Sequence, residues 1–290
     1  MMEKKYKLTE ETTIINDRTL YRIETLKDFG NVKKGDKGGF IENENNLSQC
    51  DDCWVYDNAM VYGDAVVCGN AEVDDNAKVY GNAVVYGNAV VYGNAEVFDN
   101  AAIYDNALVC DNVEVCNNAR IYGYGEVYNN AVVRDNAVVY GNARIFDDVE
   151  IYGNAEVYDK AQVCENAEVY GNAKIYGNAM VYCDTVVCDN AEVCNNAEVY
   201  GYAQVSGNAE ICGDAEIASN SDYIVFKNWW SSGRYFTWTK SNNMWKVGCF
   251  HGTGKELIEK AYKDSELSGR EYERVVKYVE SIIADNGKDK

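Results

Sequence analysis

The sequence predicts a parallel β-solenoid built from six-residue repeats, followed by a small α+β domain. Its 290 residues include 24 tyrosines and no proline, a composition that suits regular strands. From Val55 to Ile217 every sixth residue is Val or Ile, without insertion or slip. The residue four positions after each of these is small, usually Ala. A fixed short period over so long a segment indicates one structural unit stacked many times.

Alternation within the repeat V-Y-G-N-A-x explains the strand. Ala and the following Val are two residues apart and face one side, while x and Tyr face the other. The Gly-Asn or Asp-Asn pair tolerates positive φ and turns the chain, so each hexad is one short strand and one corner. An α-helix is excluded because a repeat of six residues does not match its 3.6 residues per turn. An antiparallel meander is excluded because reversing the chain between strands would need longer hairpins than the repeat provides.

Residues 55–220, with an aliphatic first and a small fifth position, resemble the hexapeptide repeat of left-handed parallel β-helix proteins. The resemblance implies left-handed triangular coils of three hexads each. Nine coils at ~4.8 Å spacing would form a rod on the order of 45 Å long. The second position departs from the family, because its enzymes often have Gly or an acidic residue where this chain has Tyr, Phe or Cys.

Residues 1–54 are predicted to cap the rod, because an open solenoid end exposes core and unpaired strand edges. Thr13–Ile15 and Thr19–Ile23 predict a hairpin, and Gly35–Phe40 predicts a glycine-rich turn. The opening of the chain resembles that of YdcK-like repeat proteins of bacteria and phages, a group defined by no biochemical activity. The segments that carry this resemblance are Asp28-Phe29-Gly30, Gly38-Gly39-Phe40-Ile41-Glu42, Asn46-Leu47-Ser48 and Cys53-Trp54-Val55-Tyr56.

Residues 221–290 change character and predict a compact α+β domain. Three strands are expected, at Tyr223–Phe226, Tyr235–Thr239 and Trp245–Phe250. Two helices should follow, since Thr253 with Glu256 and Ser268 with Glu271 have capping-box spacing.

The formal net charge of −20 is concentrated on residues 55–220, which carry 26 acidic and 6 basic side chains. Such a rod disfavours direct binding of nucleic acid or anionic lipid and attracts basic proteins. No run of 18 apolar residues predicts a membrane span. The polar N-terminus predicts no secretory signal, and the eleven cysteines, mostly at one repeat position, do not indicate a disulfide framework. We therefore expect a cytoplasmic protein, in the host cytoplasm if it is phage-encoded.

Few residues offer catalytic or metal-binding chemistry. Acyltransferases of the resembled fold rely on a histidine base, and its carbonic anhydrases need three histidines, but this chain has only His251. Cys50 and Cys53 lack the two further ligands that zinc requires. The sequence therefore predicts no catalytic residue, no metal and no cofactor. An atypical acyltransferase that binds coenzyme A, or a small-ligand-binding protein, remains the alternative.

One outward column of the predicted coils is rich in aromatic residues. Beside its six successive tyrosines, the position before the inward residue holds Val66, Val84, Ala102, Arg120 and Val138. This density of outward aromatic and apolar residues predicts a protein interface, with a homotrimer as its use. The alternative is that the stacked rings only stabilise neighbouring strands. The predicted interface residues are Tyr86, Tyr104, Tyr122, Tyr140, Tyr158, Tyr176, Val66, Val84 and Val138.

A second candidate surface lies in the terminal domain. Aromatic residues and a cation on a turn commonly recognise partners, although such a turn can equally plug a solenoid end. The predicted partner-binding residues are Trp229, Trp230, Arg234, Tyr235 and His251. The sequence thus favours a non-catalytic interaction protein, a rod that presents residues 221–290 to a protein partner. Phage-encoded interference with a host system and nucleic-acid mimicry are finer forms of this hypothesis.

Overall fold

The computed structural model describes residues 3–286; Met1, Met2 and residues 287–290, which the predicted end segments include, lie outside it. The chain forms a β-solenoid of about ten turns with three parallel sheets, followed by a small domain of an antiparallel sheet and two helices. The predicted fold class is confirmed, whereas the left-handed sense of the coil stays a prediction.

The chain opens with three longer strands, β1 (Tyr6–Ile15), β2 (Arg18–Thr25) and β3 (Lys37–Ile41). β1 and β2 form the predicted hairpin around Asn16 and Asp17, both with positive φ. The predicted turn at Gly35–Phe40 is wrong in its second half, because Gly38 and Gly39 lie within β3. A Cβ on either glycine would lie 2.5 Å from a backbone carbonyl oxygen, so the strand can pass there only without side chains.

Two-residue strands β4–β31 then build the solenoid, and each except the last three pairs in parallel with the strand 18 residues further on, as Val91 does with Val109. Three hexads therefore make one coil, as predicted. Face 1 consists of Met60–Val61, Lys78–Val79, Glu96–Val97, Glu114–Val115, Val132–Val133, Glu150–Ile151, Glu168–Val169, Val186–Val187 and Gln204–Val205. Face 2 consists of Trp54–Val55, Glu72–Val73, Val90–Val91, Leu108–Val109, Glu126–Val127, Arg144–Ile145, Gln162–Val163, Met180–Val181, Glu198–Val199 and Glu216–Ile217. Face 3 consists of Val66–Val67, Val84–Val85, Ala102–Ile103, Arg120–Ile121, Val138–Val139, Glu156–Val157, Lys174–Ile175, Glu192–Val193 and Glu210–Ile211.

The core and the corners follow the repeat. Every inward Val or Ile from Val55 to Ile217 is fully buried, together with the alanine column. Corner residues such as Asp105 and Gly93 adopt positive φ, which explains the Gly, Asp or Asn at that position. The next residue is usually Asn, and its amide donates to the Asn of the following coil, as Asn82 does to Asn100 at 3.0 Å. These amide ladders hold the coils in register.

The terminal domain contains strands β32 (Tyr223–Lys227), β33 (Tyr235–Thr239), β34 (Met244–Val247) and β35 (Phe250–Gly252), then helices α1 (Gly254–Asp264) and α2 (Glu266–Asn286). Short 3-10 turns at Glu44–Asn46 and Asn220–Asp222 flank the solenoid.

Two predictions in this domain are corrected by the structure. The strand expected at Trp245–Phe250 is two strands, because Gly248 has positive φ and turns the chain. The first capping box, Thr253 with Glu256, is confirmed. The second is wrong: α2 begins at Glu266, and the hydroxyl of Ser265 accepts the N–H of Ser268 at 3.0 Å.

The terminal domain closes the last coil. Backbone N–H groups of each coil point to the following one, so the final strands would leave donors unpaired. Side chains accept them instead: Gln204 N–H donates to Asn220 Oδ1 at 2.7 Å, and Glu210 N–H to Thr237 Oγ1 at 3.0 Å. Glu216 N–H donates to Ser241 Oγ at 2.7 Å. On each of the three faces, the first N–H of the last strand therefore donates to a side chain of the terminal domain or of the 3-10 turn before it.

Cysteine pairing differs from expectation. Cys194 and Cys212 stack on successive coils and form a disulfide, whereas the other nine cysteines are free. The reason is register: equivalent positions lie one coil apart, at a Cα–Cα distance of 4.8 Å, within the range that a disulfide spans.

Within residues 3–286 there is no helix with the length and apolar character that crossing a bilayer requires.

Candidate functional site

A turn between β32 and β33 displays two adjacent tryptophans. Trp229 is 71% and Trp230 74% exposed. The turn is held by Asn228, only 3% exposed, whose Oδ1 accepts the N–H groups of Trp230 at 3.1 Å and Ser231 at 3.0 Å. The sequence pattern identified the tryptophans but missed Asn228, although an Asn at the start of a turn is a known signal for this geometry.

Lys227 joins two of the predicted partner-binding residues. Its ammonium group lies 3.9 Å from the ring centroid of Trp229 and 4.9 Å from that of Tyr235, both cation–π distances. Tyr235 is half-buried at the start of β33, while Arg234 is exposed and its side chain passes beside Gly248. The turn is therefore an ordered surface with a positive group between two rings. Its second indole, Trp230, projects into solvent.

Partner binding through His251 stays a prediction. His251 lies in β35 and its imidazole packs over Gly213 in the last coil, so closely that a Cβ on that glycine would lie 2.5 Å from Cε1. Nearby, Lys246 forms an ion pair with Glu210 at 3.2 Å. These contacts attach the terminal domain to the rod.

The tyrosine column of face 3 is stacked as the repeat predicts. Ring centroids of Tyr86, Tyr104, Tyr122, Tyr140, Tyr158 and Tyr176 follow one another at 4.8–5.0 Å with nearly parallel planes. Such stacking stabilises neighbouring coils. The interface assigned to this column stays a prediction.

The surroundings of the hydroxyl groups vary along this column. Tyr176 donates to Glu192 at 3.0 Å, and tyrosines on the other faces contact a glutamate of the next coil in the same way. The hydroxyls of Tyr86, Tyr104 and Tyr122 have no acceptor among residues 3–286, because the facing positions are Ala102, Arg120 and Val138. Val66 and Val84 are half-buried beside them, and Val138 is nearly buried. This half of face 3 is a strip with little charge and free hydroxyls.

Cys50 and Cys53, the pair considered for zinc binding, do not come together as metal ligands in the described part of the chain. Cys53 is buried and contacts Lys5 Nζ at 3.3 Å, whereas Cys50 is exposed. Stacking also places carboxylate oxygens of Asp57, Asp74 and Asp75 within 4.8 Å of one another, on the surface. Burial raises the pKa of Asp74, and a cluster of this kind is ordinary on an acidic solenoid.

Comparison with known proteins identifies the repeat. A family model described as the YdcK β-solenoid repeat matches residues 55–71, 77–93 and 173–189. No curated protein matches the chain significantly.

Proposed function

Because the chain is a YdcK-like β-solenoid repeat protein, we propose that it is a non-catalytic interaction protein whose acidic rod presents the C-terminal domain to a protein partner. The observation that carries this proposal is the exposure of Trp229 and Trp230 on a turn held by the buried Asn228. Tryptophan is the residue most enriched at the energetic centre of interfaces, and a preformed turn lowers the entropy lost on binding.

The charge of the rod favours a basic partner. Twenty net negative charges over roughly 45 Å correspond to about one charge per 2.2 Å, close to the ~1.7 Å of duplex DNA. A basic channel that receives nucleic acid would therefore meet a similar field. This supports the finer proposal of nucleic-acid mimicry, and with it interference with a host system by a phage-encoded protein.

Affinity capture from a bacterial lysate tests the main proposal. The wild-type chain is compared with a Trp229→Ser/Trp230→Ser double variant, and the captured protein is then purified and titrated. We expect the double variant to lose at least about tenfold in affinity, the usual scale for two interface tryptophans. The matched control is Tyr202→Ser, which removes an aromatic side chain 82% exposed on the rod. Equal affinity of all three proteins would contradict the proposal.

Competition with duplex DNA tests mimicry separately. If the partner's nucleic-acid channel accepts the rod, duplex DNA should displace the chain, and salt should weaken both complexes in parallel. A partner that binds DNA and the chain at the same time would exclude mimicry and leave the tryptophan turn as the recognition surface.

A homotrimer is the second part of the proposal, supported by the strip with few charged residues on face 3. Like-charged rods repel each other except along a strip with few carboxylates. Light scattering should give a mass near three times 32.4 kDa. Val84→Glu with Ala102→Glu should reduce it to one chain. Val90→Glu, at the same repeat position on face 2, should leave it unchanged; a monomeric wild type would contradict the assembly.

A further inference from the structure

The terminal domain contains a pocket of about 210 Å³ between the start of α1 and the last turns of α2. Its lining includes Trp245 from β34, Gly254 and Lys255 from α1, and Val279 and Ile283 from α2. The volume corresponds to about seven waters at ~30 Å³ each, enough for a small organic group. Neither the tryptophan turn nor the tyrosine column contributes to its wall.

One wall of this pocket is made of hydrogen-bond donors. α1 is eleven residues long, and its first N–H groups have no acceptor within the helix. The capping threonine satisfies the third position, since Thr253 Oγ1 accepts the N–H of Glu256 at 3.3 Å. The N–H groups of Gly254 and Lys255 remain directed out of the helix end, where the helix dipole favours a negative group.

The indole of Trp245 supplies a further donor at the same place. Its side chain is only 2% exposed, and Nε1, which opens onto the pocket, donates to no acceptor within residues 3–286. By contrast, the indole of Trp238 donates to Asn243 at 2.9 Å. A Cβ on Gly254 would lie 3.2 Å from Trp245 Nε1, so this N–H faces the first residue of α1 across a space kept clear by glycine. Because this N–H opens onto the pocket and has no protein acceptor, a ligand oxygen can accept it in place of water.

The opposite wall of the pocket determines which group can accompany the negative charge of the ligand. Val279 is buried and Ile283 is partly exposed, so this side is apolar. Glu280 stands at the rim and disfavours a dianion such as phosphate. Three convergent donors beside an apolar wall suit one carboxylate attached to a small branched or aromatic group.

We propose that this pocket binds a carboxylate carried on a small apolar group. The N–H groups of Trp245, Gly254 and Lys255 donate to the carboxylate oxygens, and the apolar group packs against Val279 and Ile283. The same chemistry is offered by a free branched-chain acid and by the C-terminal residue of a peptide. The site is independent of the partner-binding proposal above.

Nuclear magnetic resonance of the full-length ¹⁵N-labelled chain tests this site, because its five tryptophans give separate indole N–H signals. The probes are 4-methylpentanoate, as a free acid, and N-acetylglycylleucine, as a peptide terminus, with neutral 4-methylpentanamide as the control. We expect a saturable downfield shift of the Trp245 indole proton with a carboxylate probe and none with the amide. A shift with the peptide alone identifies a peptide terminus as the source, and a shift with both shows that the acid group suffices. No saturable shift with either acid, or an equal shift with the amide, would overturn the proposal.

The Trp245→Phe variant identifies the Trp245 indole signal. If that variant does not fold, substitutions at the rim of the pocket still test the proposal. Ile283→Glu places a carboxylate at the partly exposed rim and should weaken binding at least about tenfold, while Glu280→Gln removes the existing one and should tighten it by about two- to fivefold. Glu266→Gln, at the opposite end of α2, is the matched control and should change nothing. Unchanged affinity in both rim variants would contradict the assigned position.

Discussion

Thr185 is the one polar residue in the small-residue column that lines the solenoid core from Ala59 to Ala215. It is fully buried, and its hydroxyl oxygen has no hydrogen-bond partner. Elsewhere in the column, Val113 and Val149 show that the position accommodates a branched apolar side chain. Thr185 is therefore a local loss of stability within an otherwise regular core.

Replacing Thr185 with Val should stabilise the solenoid. The substitution keeps the shape and removes a buried hydroxyl without a partner, a gain of about 1–3 kcal/mol in the free energy of unfolding. Urea unfolding followed by circular dichroism measures it. The reverse change, Val149→Thr, is the matched control and should lose a similar amount. A loss of stability in Thr185→Val would mean that the hydroxyl has a partner after all.

Asn228 determines how the recognition turn presents its indoles, because one amide oxygen accepts two successive N–H groups of the turn. Asn228→Ala should leave both donors unpaired and make the turn mobile. Lower ¹⁵N order parameters for Trp229 and Trp230, with unchanged values in α1, are the expected result. Unchanged order at the turn would show that the contact of Lys227 with Trp229 and Tyr235 suffices to hold it.

Stacked columns are the elements that distinguish this solenoid, and they make its stability sensitive to alkali. Burial, and next to it the charge of Glu156, raises the pKa of Tyr140 to about 12. Burial and Glu198 raise the pKa of Tyr182 to the same value, about 12. A tyrosine of the unfolded chain loses its proton near pH 10. The folded state therefore holds these protons over a range in which the unfolded state has lost them.

The contribution of these tyrosines to the free energy of unfolding should be fully present below pH 10. It should fall as the pH rises from about 10 to about 12, because in that range the unfolded chain binds fewer protons than the folded chain. Absorbance at 295 nm reports phenolate formation, and circular dichroism reports unfolding. The two transitions should coincide for Tyr140 and Tyr182. Column tyrosines that ionise near pH 10 with the fold intact would contradict this account.

Elements differ in how far local sequence determines them. The hexads are strictly periodic, so short strands and corners follow from spacing, whereas three strands per coil, and with them the stacked rings, followed from the family resemblance. The start of α2 was misplaced because Ser265 and Ser268 both have a capping side chain, and only tertiary position decides between them. The Cys194–Cys212 disulfide and the pocket at Trp245 depend on contacts between distant residues, which no local pattern records. Trp229 and Trp230 were recognisable as residues, whereas their support by Asn228 was not.

At the scale of the whole molecule, the rod and its terminal domain form one continuous structure. Asn220, Thr237 and Ser241 provide the acceptors that a further coil would have supplied. The domain thus ends the solenoid and carries the tryptophan turn. An exposed edge would otherwise recruit another solenoid end.

Removing two of these acceptors should loosen the junction. Thr237→Val with Ser241→Ala removes the acceptors of the Glu210 and Glu216 N–H groups, at a cost of about 1–3 kcal/mol for the part-buried Glu210 N–H and less for the exposed Glu216 N–H. Faster amide exchange in the last coil is the expected result. The matched control is Ser221→Ala in the neighbouring 3-10 turn, because the hydroxyl of Ser221 contacts Ser219 Oγ and accepts no strand N–H. Unchanged exchange in the last coil would mean that packing alone holds the domain.

Amide hydrogen exchange of the full-length chain, alone and with its captured partner, tests the central claim most directly. The account predicts that the partner slows exchange at residues 227–235, which form the recognition turn and its flanking strand ends. Slower exchange confined to the corners of the rod, with no change at residues 227–235, would contradict recognition by the terminal domain and assign binding to the acidic solenoid.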